Sequence, residues 1–458
     1  MSTQAGSSAA SGARVRLRRV RLAGLEPRER LALVRRPLPA GEQLRAQVRG
    51  ILDTVRGGGD AAVRDLNARF GGGLAAGGQN PVALRLEPEV LVAARDALPP
   101  KLRGALLHMA ANIERFHAMQ VPAAEQWVEV ASGVRVGRAW RPIDRVAAYV
   151  PGGSAAYPSS LLMSAIPARL AGVPELVVAS PAGRDGVLSP ALLGAAGLMG
   201  VDELYVMGGA QAIGALAYGT ETVRPVDKIV GPGNAWVTAA KLEVFGDVAI
   251  DLPAGPSEVM VLADETADPA HTAADLLSQA EHGHDSPALL VTPSAALADA
   301  VETEIARQLR TLPRQEYLAT SLREAGVIVE AADLVDAIDF VNAYAPEHLS
   351  IVVADPSAAF ARIRHAGSVF LGPFSPESAG DYATGSNHVL PTARLARATG
   401  ALSVESFGKW VQVQELTREG LAGVRGTVAI VAEAEGLTAH RRAVEIRFQR
   451  NDEVIDGR

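Results

Sequence analysis

Gln279 and His282 stand three residues apart near the end of an apolar-patterned stretch. On a helix they share one face and could reach a single metal ion, although a solvated helix end would carry the same two side chains. Glu347 and His348 are adjacent, after Ala345-Pro346 and before an apolar run at 349–353. An acid beside an imidazole on a proline-stiffened loop makes a general-base pair if it faces a cleft, and plain surface if it does not. The stretch 375–388, with Asp381 at its middle, is polar and glycine-containing between two apolar runs, the texture of a loop that builds a site. Glu435 and His440 set a further acid and imidazole at a helix junction, where Thr438 is placed to cap the last helix. The chain has no cysteine, so thiolate metal ligands, disulfides and cysteine nucleophiles are excluded. Zinc, if bound, is held by nitrogen and oxygen.

These residues need a frame. Apolar runs at 146–150, Glu175–Ser180, 203–207, Lys228–Val230 and 248–252 read as strands alternating with helical stretches. A second series follows at Val259–Ala263, Ala288–Thr292, 327–330, 349–353 and Ser368–Leu371. Two such series, meeting near 253–257, predict two α/β domains with mainly parallel sheets. Upstream, 43–56 and 61–70 read as helices parted by Gly57, Gly58 and Gly59, with Asp60 as an N-cap, and 89–119 as helix broken at Pro99-Pro100. Asp268-Pro269 should open the helix carrying Gln279 and His282, and Gly283 should close it. The remainder, 403–458, reads as helical and charged.

Three glycine turns follow predicted strands: Pro151-Gly152-Gly153-Ser154, 208–214 and Gly231-Pro232-Gly233-Asn234. Turns at the carboxyl ends of parallel strands are where an open sheet binds ligands. None matches G-x-G-x-x-G, because Ala210 stands where a glycine is needed, so ordinary tight turns remain as good a reading as nucleotide binding for any one of them.

With 458 residues, 48% hydrophobic and only 4% aromatic, the chain can bury a large aliphatic core in more than one domain. A net charge of −7 argues against a nucleic-acid partner. The uncharged run 146–168 is long enough for a bilayer but is broken by Pro151, Pro158 and Pro167, so no membrane span is expected. Residues 1–12 read as a loose tail, with order beginning near Val15, and the start of the chain lacks the apolar core of a secretory leader. A cytoplasmic protein is expected.

Six segments, taken in order, resemble the motif series of the histidinol dehydrogenase family. They are Gly255-Pro256-Ser257-Glu258, 277–283, Pro346-Glu347-His348-Leu349, 375–381, 387–392 and 437–440. The resemblance runs from about 120 to 450. It implies an NAD-dependent dehydrogenase with one zinc ion per subunit, held by Gln279, His282, Asp381 and His440. It places the general bases on Glu347 and His348, and substrate contacts on Ser257, His348, Asp381, Glu435 and the metal ligands. Cofactor contacts fall on Tyr149, Gln211 and Asn234. The implied fold is α/β: two incomplete Rossmann-like units of mainly parallel sheet, plus small N-terminal and C-terminal helical domains, in a domain-swapped homodimer. The implied division is 44–149 plus 257–402 for zinc and substrate, and 150–256 for NAD. A small domain takes 1–43 plus 403–428, and the tail 429–458 contacts the partner. The expected reaction is oxidation of L-histidinol to L-histidine with two NAD⁺, without nucleic acid or membrane. A related zinc- and NAD-dependent alcohol dehydrogenase acting on a sulfonated diol is the nearest alternative. A zinc hydrolase and a nucleotide-binding module without chemistry are more distant ones.

Overall fold

The computed structural model describes residues 16–36, 40–70, 83–152, 157–183 and 186–449. The tail at 1–12, Val15, and Gly153 and Ser154 of the first glycine turn lie outside the described residues.

Both expected strand series form sheets. The first runs Arg18–Arg21, Gly326–Glu330, Ala288–Thr292, Val259–Ala263, His348–Val352, Ser368–Leu371, with every neighbouring pair parallel. The second runs Arg85–Leu86, Glu203–Val206, Glu175–Ser180, Arg145–Tyr149, Lys228–Val230, Ala249–Ile250, parallel except at its first pair. In each, the chain winds outward from a central strand, then returns and continues on the other side. The winding reverses between Val259–Ala263 and His348–Val352 in the first sheet, and between Arg145–Tyr149 and Lys228–Val230 in the second. The central strands Arg145–Tyr149 and Val259–Ala263 are buried at every position because helices cover both faces.

The uncharged run at 146–168 divides between the strand Arg145–Tyr149 and the helix Pro158–Ala171. No helix of the described residues is long and apolar enough to cross a membrane. Asp268 caps the helix Pro269–Ala280 as expected, accepting from Ala270 N at 2.7 Å.

Several expectations are corrected. The 403–458 segment is not all helix: Gly408–Leu416 is a strand in an antiparallel sheet with Val134–Pro142 and Glu125–Ala131. Its partner lies far away in sequence, and most of its residues stay exposed, so it has no buried alternating face to announce it. Within 42–70 the two expected helices are indeed parted, by non-helical backbone at Gly59 (φ 53°, ψ −139°), but Asp60 does not cap the second. The Asp60 carboxylate instead accepts from Thr220 Oγ1 at 2.6 Å, while Glu221 accepts from Asp60 N at 2.7 Å. Helix Pro269–Ala280 stops before His282, and Gly283 is not among the glycines with left-handed backbone.

The division of the chain also differs from the expected one. Helices within 42–70 and 88–118 pack on the second sheet, because their apolar faces enter the cores around Val146 and Ala147, and Pro100–Ala118 also meets Ala383, Asn387 and Val389. Arg18–Arg21 forms the edge strand of the first sheet, and helix Pro27–Val34 packs beside Leu334–Tyr344, so 16–36 belongs with that sheet and not with 403–428.

Candidate active site

The two sheets meet edge to edge across a cleft of about 370 Å³. The second sheet offers the carboxyl ends of its strands, where Pro151 and Pro232 to Ala235 line the cleft. The first sheet offers its amino edge: Ser257 precedes Val259–Ala263, and His348 opens His348–Val352. That edge also receives the end of helix Pro269–Ala280, because a helix following a parallel strand runs back to the strands' starting edge.

Glu347 and His348 are buried, 5% and 3% exposed, so the pair is not a surface loop. Ala345 adopts left-handed backbone, φ 54°, and turns the chain from helix Leu334–Tyr344 into Pro346 and the pair. Glu347 Oε2 accepts from Ser257 Oγ at 2.9 Å and from Glu258 N at 2.8 Å. His348 Nδ1 lies 3.2 Å from Glu258 O, which makes Nδ1 the protonated nitrogen. His348 Nε2 is buried without a hydrogen-bond partner among the described residues, 4.0 Å from Asp381 Oδ1. The Phe370 ring stacks against the imidazole, centroids 6.2 Å apart. Gly380 keeps the next helix close to that ring, since a Cβ there would meet Phe370 at 2.6 Å.

Gln279 is fully buried; its Nε2 donates to Ser257 O at 2.6 Å, and its Oε1 has no hydrogen-bond partner among the described residues. His282, Glu377 and Asp381 bring potential ligand atoms within 4.8 Å of one another. Glu377 was not singled out by sequence reasoning. It and Asp381 share one face of helix Glu377–Tyr382 by their i, i+4 spacing, the only signal that could have found it. Both Glu377 carboxylate oxygens are buried without hydrogen-bond partners among the described residues, with Oε1 3.5 Å from His348 Nδ1. Burial pushes the Glu377 carboxyl up to about 7, with His348 opposing and Asp381 and Glu347 adding to the rise. Burial alone would lower the His348 imidazole, but Glu377, Glu347 and Asp381 outweigh it and hold it up to about 10. Three carboxylates around one imidazole, with an unpartnered amide oxygen nearby, make a pocket that favours a cation. The donor set is nitrogen and oxygen, as zinc accepts, so these residues fit the metal.

His388 is a second residue that sequence reasoning left without a role. It lines the cleft, with Nδ1 3.2 Å from Asp381 O and Nε2 3.2 Å from Ser160 Oγ. Burial lowers its imidazole, with Asp381 opposing.

The expected cofactor contacts divide. Asn234 lines the cleft while its side chain caps helix Ala235–Val244, accepting from Trp236 N and Val237 N at 3.1 Å. Tyr149 and Gln211 are buried beneath: Tyr149 OH accepts from Gly209 N at 3.1 Å, and Gln211 Nε2 donates to Asn67 Oδ1 at 3.0 Å. Gly231, φ 107°, passes so close to Tyr149 O that a Cβ would lie 2.1 Å from it. Its loop is anchored by the buried Lys241–Asp251 ion pair: Asp251 accepts from Gly231 N at 2.7 Å, and Lys241 Nζ donates to Gly231 O at 3.0 Å.

Glu435 and His440 are not brought to this cleft. Both are exposed, on or beside helices Arg418–Ala434 and Thr438–Gln449, which pack on each other, the first also on strand Gly408–Leu416.

Comparison with known proteins agrees with this geometry. The histidinol dehydrogenase family profile matches residues 34–448. The chain is 48% identical over 403 residues to histidinol dehydrogenase of Methanothermobacter thermautotrophicus, covering 88% of this chain and 93% of that one. It is 48% identical over 413 residues to that of Rhizobium meliloti, covering 90% and 94%. The crystal structure of histidinol dehydrogenase from Elizabethkingia anophelis superposes with a TM-score of 0.87 at 38% identity, over 94% of this chain and 98% of that one. With most of its motifs lining one cleft and residues 34–448 matched, the chain belongs to the histidinol dehydrogenase family.

Proposed function

We propose that this chain oxidises L-histidinol to L-histidine through L-histidinal, using two NAD⁺ in turn, as a cytoplasmic homodimer with shared sites. The observation that carries the reading is the buried Glu347–His348 pair, set among cation-favouring groups where the first sheet faces the glycine turns of the second. His348 Nε2, without a hydrogen-bond partner among the described residues, takes the hydroxyl proton as the alcohol carbon gives its hydride to the nicotinamide, which leaves the aldehyde. A cation bound among the surrounding carboxylates would offset them and lower the imidazole to the neutral form this step needs. Glu347, whose Oε2 is held by Ser257 and Glu258, activates a water with its other oxygen to form the aldehyde hydrate. That hydrate loses a second hydride to the second NAD⁺ while His348 again takes the proton. Four electrons leave the substrate and two NADH form.

Gln279, His282 and Asp381 would hold zinc, with His440 of the partner subunit as the fourth ligand. A bound zinc supplies positive charge that grips the substrate's nitrogens and fixes the alcohol carbon in place. Ser257 and the partner subunit's Glu435 complete the substrate's contacts. Asn234 meets the cofactor, with Tyr149 and Gln211 supporting the same region. Exposed His440, beside exposed Ile430, Val431, Leu437 and Ile446 on a tail that reaches no site of its own subunit, supports the exchange between subunits. NADH formation at the expense of histidinol, at two NADH per histidine, tests the reading. Turnover of a sulfonated diol without turnover of histidinol would refute it.

A further inference from the structure

Glu258 belongs to none of the reacting groups, yet both catalytic residues hang from its backbone. Its N–H donates to Glu347 Oε2 at 2.8 Å, and its carbonyl accepts from His348 N at 3.2 Å and faces His348 Nδ1 at the same distance. A shift of the backbone at Glu258 would displace the acid and the imidazole together. Its side chain is held where it can resist such a shift. The carboxylate is 2% exposed and is gripped from three distant parts of the chain. Arg36 places Nη2 2.9 Å from Oε1 and Nε 2.7 Å from Oε2. Tyr344 OH donates to Oε2 at 3.1 Å, and Ala393 N donates to Oε1 at 3.0 Å. Arg36 is itself fixed: its guanidinium lies 3.4 Å from the centre of the Tyr344 ring, and Nη1 donates to Val34 O and Tyr344 O at 3.1 Å. A buried ion pair contributes little net stability compared with an apolar filling of the same space, but it fixes orientation.

We propose that Glu258 and Arg36 are positioning residues for the Glu347–His348 pair, acting through the Glu258 backbone N–H and C=O. The inference rests on the catalytic reading of that pair. In the zinc-loaded enzyme, Glu258→Gln keeps the side-chain size and removes the charge that Arg36 grips. It should lower kcat per folded site about 10- to 100-fold, since a small misplacement of reacting groups costs that much. The KM for NAD⁺ should not change, because the glycine turns belong to the other sheet. Tyr344→Phe removes only one hydroxyl contact and should show a smaller loss with the same split, which keeps the test available if Glu258→Gln does not fold. In a Glu347→Gln background, Glu258→Gln should cost less than it does alone, as groups acting as a unit are not additive. A lowered melting temperature with wild-type kcat per folded site would overturn the inference, as would full additivity in the double variant. Glu347→Gln and His348→Asn with unaltered turnover would overturn the catalytic reading itself, and this inference with it.

Discussion

Gly231→Ala asks whether the second sheet's glycine turn is built for close approach. At φ 107° an alanine carries backbone strain of about 1–3 kcal/mol. Its Cβ would also sit 2.1 Å from Tyr149 O, and that carbonyl cannot retreat, because Arg145–Tyr149 is paired on both sides within the sheet. The loop must therefore move, which breaks or stretches the bonds from Gly231 N to Asp251 and from Lys241 to Gly231 O. Hydrogen bonds to charged groups are worth about 1.5–3 kcal/mol each, so the loss is on the order of 4 kcal/mol even at the low end of each contribution. Because the same loop carries Asn234 into the cleft, the KM for NAD⁺ should rise while metal content stays that of wild type. Gly246→Ala is the control: its φ is 116°, but nothing lies within 4 Å of its Cβ, so it should cost only the backbone strain. Denaturant midpoints and steady-state kinetics of the two variants give the comparison. If Gly231→Ala were as stable as Gly246→Ala, with an unchanged KM for NAD⁺, the close-approach argument would fail.

Chelation should abolish histidinol oxidation while NAD⁺ binding persists, with zinc restoring turnover; full activity in protein shown metal-free by elemental analysis would refute the metal assignment. Glu347→Gln should slow histidinal oxidation more than histidinol oxidation, whereas His348→Asn should slow both; equal damage to the two half-reactions by Glu347→Gln would contradict their separate duties. His440→Ala and Glu347→Gln chains, each inactive alone, should recover roughly a quarter of wild-type activity after co-refolding in equal amounts, because half of the dimers are mixed and each mixed dimer holds one intact site. No recovery in a sample shown to contain mixed dimers would rule out the shared site.

The residue types and their order along the chain were legible without a structure. Absent cysteine limited metal chemistry to nitrogen and oxygen donors, and the alternating apolar runs announced two parallel sheets, because a strand buried on both faces is apolar along most of its length. Asp268-Pro269 marked a helix start since capping is a local matter. Tertiary structure decided what depends on contacts far apart in sequence. Ser257 meets Glu347 across 90 residues, and strand Gly408–Leu416 pairs with Val134–Pro142, so neither contact leaves a local pattern to read. Glu377 looks like any acid at a helix start until packing buries it against His348, and Arg36 like any surface arginine until it closes on Glu258. Sequence periodicity carries no sign of which sheet edge faces which. Only the packing of the two sheets sets the amino edge of one against the carboxyl edge of the other, with the polar residues of both lining one cleft.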